Sequence, residues 1–365
     1  VDTLLFKVLV QSIPTSMHVI FVGDKDQLPS VGPGQVFHDL LEFADLPRIE
    51  LKKIHRQAAD STIIPLAHDI REGKIPSDLT VKMADRSFIA CHSRQVPGVV
   101  KQIIEMRQKR GYDANDLQIL APMYRGAAGV DRLNDLSQAV YNPAAANKQE
   151  IEFRGQVFRV GDKVLQLVNS PENNVFNGDI GRITAIENGS NKGKKNASMT
   201  IDFDGNEVNY GRLEWSQIRL AYRIAIHKSQ GSQFKMVIVH EFGRMLQRNL
   251  LYTAVTRAAD KLIMVGETYA FVTAINSQSV NRQTSLVKRL TDTWKHHGKL
   301  KSPLEQGTES QFEPDNIKEH TSAQDVSDDQ LSQTKQTILT PALIKSGEID
   351  PMIGMEGLRP ADFKK

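Results

Sequence analysis

A chain of 365 residues has room for two or three domains. Its 40% hydrophobic and 24% charged content is that of an ordinary globular protein, and a formal net charge of +3 permits a nucleic-acid partner without arguing for one. The single cysteine, Cys91, excludes an internal disulfide and a cysteine-based zinc site. No apolar run approaches the roughly 18 residues of a membrane helix and no signal segment is evident, so the expectation is a cytoplasmic protein with no membrane partner.

In chain order, Val1–Ile13 reads as an amphipathic helix with Leu4, Leu5, Val8 and Leu9 on adjacent turns. His18–Gly23 reads as a buried strand, and Asp24–Gly34 as a loop carrying Pro29, Gly32, Pro33 and Gly34. Together they read as the trailing edge of an α/β domain. From Leu51 strands and helices alternate. Thr62–Arg71 is helical, Ser87–Cys91 a strand, Val99–Arg110 a helix capped by Gly111, Leu117–Ala121 a strand and Ala127–Val140 a helix. That alternation predicts a parallel sheet with crossover helices. Between Ile151 and Arg219 the period shortens to Gln156–Val160, Lys163–Val168, Gly181–Ile186, Ser198–Phe203 and Glu207–Tyr210. Asn177-Gly178, Asn188-Gly189 and Asp204-Gly205 punctuate these runs. A small antiparallel barrel inserted into the α/β domain is predicted. The apolar runs Met236–Phe242 and Lys261–Val265 need the earlier strands as neighbours, and the α/β pattern lasts to Ala274. The expected division is 1–48, then 49–150 with 220–276, an insert at 151–219, and a tail at 277–365. In the tail Ser285–His297 reads as a helix, while residues 302–365 lack the apolar surface to fold alone.

Five segments carry candidate chemistry. In VGDKDQLPSVGPG, Gly23 and Asp24 stand at a strand's carboxyl end, where ligands sit in α/β sheets, and Gln27 follows on the loop. An amide there can sense a terminal phosphate, though Gly-Asp and Pro-Ser are also plain loop formers. Arg56 in LKKIHRQ offers a charged fork for phosphate oxygens, or a solvated surface group. APMYRGAAGVDRLN places Pro122, Tyr124 and Arg125 between a strand and a helix that carries Asn134. Tyr124 and Arg125 suit a base and a phosphate, and helix capping is the plainer use. The HKSQG turn offers His227, Lys228 and Ser229 as donors, with Gly231 for close backbone approach and Gln233 beyond it. A lone histidine is more often structural than catalytic. Arg257, in LLYTAVTRAAD, is one guanidinium in a small apolar neighbourhood, a stabiliser of phosphoryl charge or a helix salt bridge. GSNKGKK at Gly189–Lys195 has the wrong spacing for a phosphate loop, DFDGNE at Asp202–Glu207 lacks the full calcium-loop spacing, and His296-His297 has no neighbouring ligands.

As an ordered set these segments resemble motifs III, IV, V and VI of superfamily-one DNA helicases, most closely the RecD-like branch. VFNGDIG at Val175–Gly181 is similar to that branch's inserted barrel. The resemblance spans Val1–Val272. It implies two RecA-like domains with ATP between them, a Src-homology-3-like barrel in the second, and 5′-to-3′ movement on single-stranded DNA toward single/double-strand junctions. DNA repair and recombination are the implied pathways. It assigns ATP contacts to Gly23, Asp24, Gln27, Arg56, Gly231, Gln233 and Arg257. Gln27, Arg56 and Arg257 would act at the γ-phosphate, Arg257 as arginine finger. It assigns DNA contacts to Pro122, Tyr124, Arg125, Asn134, His227, Lys228 and Ser229. Many members carry an acidic residue where this chain has Gln233. The sequence holds no GxxxxGK[ST] loop and no Asp-Glu pair at a strand end. ATP and Mg²⁺ are therefore expected to be held mainly by an amino-terminal helicase part, without which the chain is inactive. No metal ligand is assigned to this chain. The alternative is a non-catalytic single-stranded DNA-binding or regulatory module derived from a helicase. Nothing supports a nuclease fusion.

Overall fold

The computed structural model describes residues 1–14, 16–51, 61–122, 130–187, 197–240, 246–277 and 282–297. Its helices are α1 (Thr3–Ser12), α2 (Val36–Glu42), α3 (Ile63–Glu72), α4 (Val96–Gln108), α5 (Val130–Tyr141), α6 (Arg248–Val255), α7 (Thr268–Asn276) and α8 (Leu286–His297). Its strands are β1 (Arg86–Ala90), β2 (Leu117–Ala121), β3 (Glu150–Phe153), β4 (Gln156–Arg159), β5 (Lys163–Gln166), β6 (Ile180–Glu187), β7 (Ser198–Phe203), β8 (Asn206–Gly211), β9 (Ile218–Leu220), β10 (Arg223–Ala225), β11 (Phe234–His240) and β12 (Ala258–Gly266).

The central sheet runs β1-β12-β11-β2-β10, with every pairing parallel. A parallel sheet is covered on both faces, so its strands are apolar throughout. Successive side chains then serve opposite cores. Met236, Ile238, Ile263 and Val265 pack with Val96, Val100 and Ile104 of α4. Val237, Val239, Leu262 and Met264 pack with Ile63, Leu66 and Ile70 of α3 and Leu251, Ala254 and Phe271 of α6 and α7. The α3 helix ends on Gly73 at φ +73°, a left-handed position that favours glycine. Its start has no cap of its own. Asp85, just before β1, accepts from the backbone N–H groups of Thr62 and Ile63 at 2.7 and 3.3 Å.

The chain leaves this sheet after β2 and α5 and returns to it at β10, whose Ala225 lies opposite Ala121. Between them stand an antiparallel sheet, β8-β7-β6-β5-β9, and the hairpin β3-β4. Phe158 of the hairpin joins Val164, Ile183, Met199, Ile201, Tyr210 and Trp215 in one core. The insert thus closes around its own interior. Asp204 and Gly205, at φ +56° and +90°, form the two-residue turn between β7 and β8. The insert is held to the central sheet by buried polar groups. Asp162 accepts from Gln138 Nε2, Asn142 Nδ2, the Arg159 N–H and the Tyr222 hydroxyl at 2.6, 2.7, 2.7 and 2.9 Å. Lys163 Nζ donates to the carbonyls of Ala114 and Leu117 at 2.9 and 3.4 Å.

The amino-terminal segment departs from expectation. His18–Gly23 forms no strand, and Ile20 and Val22 are 86% and 85% exposed. The run has strand composition, but no described strand pairs with it, and an extended segment without a ladder is not a strand. The α1 helix forms, with Asp2 capping the Leu5 N–H at 2.8 Å, yet buries none of its residues. Two further boundaries move. The α4 helix starts at Val96, with Pro97 in its first turn, and its cap is Lys109, so Gly111 lies in the turn beyond. The strand from Met236 begins at Phe234. The Leu51–Gln57 segment beyond Leu51, the Asn188-Gly189 turn, the 189–195 loop and the tail beyond His297 lie outside the described residues. No helix among the described residues is long and apolar enough to cross a membrane.

Candidate nucleotide and nucleic-acid sites

The segment 226–233 crosses between two ends of the central sheet. It leaves the carboxyl end of β10 as a short 3-10 helix, Ile226–Ser229, and enters the amino end of β11 at Phe234. Phe234 also receives the start of β12, its N–H donating to the Arg257 carbonyl at 2.9 Å. One strip of chain therefore carries the HKS turn at one end and reaches Arg257 at the other.

Arg257 occupies the turn between α6 and β12, one residue past the helix cap Thr256, and is 2% exposed. Its guanidinium donates to the carbonyls of Thr253 and Ser232 at 3.2 and 3.0 Å and to Gln27 Oε1 at 3.4 Å. Gln27 comes from the loop that follows the exposed amino-terminal run. Its Nε2 donates to Asp24 at 3.1 Å, and the Tyr252 hydroxyl donates to the same carboxylate at 3.0 Å. Burial, together with the Asp24 charge, pushes the Tyr252 phenol above its ordinary range. Two more bonds pin the loop. The Leu28 N–H donates to Thr253 Oγ1 at 3.2 Å, and Gln230 Nε2 donates to the Leu28 carbonyl at 2.9 Å.

Of the nucleotide set, Asp24, Gln27 and Arg257 thus converge, though more than two hundred residues separate the first two from the third. Gly231, at φ +84°, and exposed Gln233 flank Ser232, whose carbonyl takes Arg257. Gly23 adjoins Asp24 and abuts the Phe37 ring. Arg56 lies outside the described residues, as do Tyr124 and Arg125.

The nucleic-acid set divides. His227 is exposed and Lys228 half-buried on the 3-10 helix. Lys228 Nζ donates to Asn177 Oδ1, in the insert, and burial lowers its pKa. Ser229 is buried and its hydroxyl donates to the Ile226 carbonyl at 2.8 Å. Pro122 is buried beyond the end of β2. Asn134 is buried in the joint between insert and sheet. It donates to the carbonyls of Leu220 and Arg223 at 3.0 and 3.2 Å and accepts from the Arg223 N–H at 2.8 Å. A side chain so engaged presents nothing at the surface, which leaves His227 and Lys228 as the described members able to meet a strand.

Sequence reasoning passed over Thr253, Tyr252 and Gln230, which seat the loop on Arg257. Thr253 and Tyr252 stand next to the arginine in YTAVTRA, and that proximity was the available signal. It also passed over Arg282, which donates to the Gly32 and Gly34 carbonyls at 2.7 Å each.

Three family models match in order: an AAA domain over residues 1–94, an ATP-dependent RecD-like DNA helicase SH3 domain over 133–203, and a UvrD-like helicase C-terminal domain over 220–265. The chain is 34% identical over 285 residues to the ATP-dependent RecD2 DNA helicase of Deinococcus radiodurans, covering 77% of this chain and 37% of that protein. It is 31% identical over 299 residues to the RecBCD enzyme subunit RecD of Mycolicibacterium smegmatis, covering 77% and 51%. A Pif1 helicase structure matches with a TM-score of 0.42 and 20% identity over 76% of this chain and 65% of that one. The chain spans about half or less of the length of these curated relatives. With the three models in RecD order and the RecD proteins matching along most of its length, the chain belongs to the RecD-like helicase family.

Proposed function

We propose that the chain is part of an ATP-driven DNA helicase that moves 5′ to 3′ on single strands, with residues 1–48 belonging to a first RecA-like domain. Residues 49–150 and 220–276 form the second, carrying the 151–219 insert. The observation that carries this reading is the meeting of Gln27 and Arg257 across 3.4 Å. An amide and a buried guanidinium facing each other from two parts of the chain suit a γ-phosphate. Both can turn N–H donors to its oxygens, and a charge-assisted contact is strong. Arg257 is covered by the 24–28 loop in this conformation, so phosphate entry requires the loop to lift. Binding that bridges both sides would draw them together again, a ligand-biased hinge. The 226–233 strip then links that movement to Lys228 and the strand it holds.

The residues fit the terminal phosphate of ATP and not its magnesium. Asp24, the carboxylate bonded within the cluster, is already taken by Tyr252 and Gln27. Magnesium beside phosphates needs further oxygen ligands, and we assign none here. Among the described residues His38, Asp39 and Glu42 converge elsewhere; Gln35 bonds His38 and Asp39, Thr284 donates to Asp39, and Glu42 lies 3.5 Å from the His38 ring nitrogen. The phosphate loop and metal carboxylates would come from the amino-terminal part of the complete protein. Single-stranded DNA and single/double-strand junctions are its proposed substrates.

The test compares DNA-stimulated ATP turnover in the complete protein and in this chain alone. In the complete protein Arg257→Ala lowers turnover roughly 10³-fold or more, leaves nucleotide-free strand binding near normal, and Arg257→Lys restores little. The 365-residue chain alone binds single strands without hydrolysing ATP. Turnover by the chain alone that Arg257→Ala abolishes would overturn its dependence on a missing part. Near-normal turnover in complete Arg257→Ala protein would remove the finger role.

A further inference from the structure

The loop between β5 and β6 is built to hold one exposed aromatic ring beside a lysine. Six successive backbone N–H groups, Asn174 to Asp179, all donate. They go to the Pro171 and Ser170 carbonyls, Asp179 Oδ2, Asn169 Oδ1, and the Gln166 and Phe176 carbonyls, at 2.7 to 3.2 Å. Val175 is fully buried and anchors the loop in the core of the insert. Gly178 sits at φ +110°, with the Lys228 carbonyl 3.7 Å from where a Cβ would stand. Between these fixed points Phe176 is 46% exposed. Phe158, Phe203, Tyr210 and Trp215 of the same insert are buried. The neighbouring residue, Asn177, takes the ammonium of Lys228.

A large apolar ring held in water on a rigid loop gains little within the chain, since its burial energy is left unused. Rigidity lowers the cost of ordering it against a ligand. A ring on the residue before the amide that holds an ammonium matches one nucleotide of a single strand, which offers a base face and a phosphate together.

We propose that Phe176 is a base-stacking platform for single-stranded nucleic acid, with Lys228 holding the adjoining phosphate. This rests on the strand-binding reading above and adds a contact on the insert. A neighbouring protein's apolar side chain is the competing occupant, and the test separates the two.

The probe is a fluorescein-labelled oligothymidylate of about 15 nucleotides, within the footprint of such grooves, titrated with the full chain. Phe176→Ala weakens binding roughly 5- to 100-fold, the range for lost base stacking. It leaves the salt dependence unchanged, because no phosphate contact is removed. Phe176→Trp retains binding. Lys228→Ala weakens binding and flattens the salt slope by about one ion. The decisive arm is the same strand with its bases removed, where Phe176→Ala and the parent chain bind alike. Equal binding of Phe176→Ala and parent to the normal strand overturns the proposal and leaves the ring to a protein partner. Equal loss on strands with and without bases overturns it too, by showing that the ring only props the loop. If the parent chain binds neither strand, the strand-binding reading itself fails, which is a distinct result.

Discussion

Two joints hold this protein together, and they are made differently. The insert meets the central sheet through buried polar groups, with Asp162 receiving four donors and Lys163 and Asn134 bonded to main-chain atoms in the interior. The amino-terminal segment meets the rest through half-exposed contacts. These include Gln27 on Arg257, Gln230 on Leu28, Arg282 on Gly32 and Gly34, Thr284 on Asp39, and the Phe43–Trp294 edge contact at 5.9 Å. A buried polar network is costly to break because its members cannot return to water while the fold persists. Half-exposed bonds exchange with water at small net cost. The first joint is a weld and the second a seam, and the seam is where the proposed nucleotide contacts meet.

The weld yields the largest stability effect. Asp162→Ala leaves Gln138, Asn142, Arg159 N–H and Tyr222 donors facing a void, and stability falls by about 4 kcal/mol. Asp162→Asn keeps the shape but turns one acceptor into a donor, and loses less. Denaturant midpoints measure both. A midpoint for Asp162→Ala matching the parent would mean that the apolar contacts alone fix the insert.

Lys163 sharpens the same contrast through pH. Burial lowers its pKa from 10.5 to about 8, because no carboxylate within bonding distance offsets its desolvation. Below about 8 the folded and unfolded chains both carry its proton; between 8 and 10.5 the unfolded chain alone keeps it. Unfolding therefore takes up a proton in that window, so folded stability rises with pH through it. Compared with Lys163→Met, which cannot titrate, the parent gains about 3 kcal/mol across the window. Parallel curves for the two proteins would place Lys163 in contact with water.

The same division explains what could be read from the residues. The strands Leu117–Ala121, Phe234–His240 and Ala258–Gly266 were legible because a strand buried on both faces must be apolar along its length. His18–Gly23 sends the same signal and forms no strand, since composition reports a tendency to pair and not the presence of a neighbour. The burial of Arg257 was legible from its small, apolar neighbours. Its partners Thr253 and Tyr252 were not, because a hydroxyl in a helix announces nothing about a loop two hundred residues away. Asn134 was assigned to a strand contact from its place after APMYRG, but an amide can bond both sides of a chain crossing, and it is used there. Asp162 stands just before the Lys163–Val168 run and carries no signal of its own. Nothing local distinguishes a buried aspartate with four donors from a solvated one at a turn.

The smallest effect tests the seam itself. Arg282 enters from beyond α7 and donates through one nitrogen to the carbonyls of Gly32 and Gly34, while its own N–H meets Gln35 Oε1 at 3.0 Å. Thr284, two residues on, donates to Asp39, and α8 brings Trp294 against Phe43. This clasp fastens residues 32–43 to the segment that follows α7. Arg282→Ala removes two charge-assisted bonds from a half-exposed site, a loss of about 1 to 2 kcal/mol. Because seam and weld are separate, the loss stays local. Hydrogen exchange at residues 28–43 accelerates roughly tenfold, the equivalent of 1.4 kcal/mol, while amides of Leu117–Ala121 and Ile180–Glu187 keep their protection. The proposed strand affinity at Lys228 is unchanged, since the HKS turn touches neither Arg282 nor α8. Acceleration spreading equally into the central sheet would show the seam and the weld to be one cooperative unit, and the contrast between them would fall.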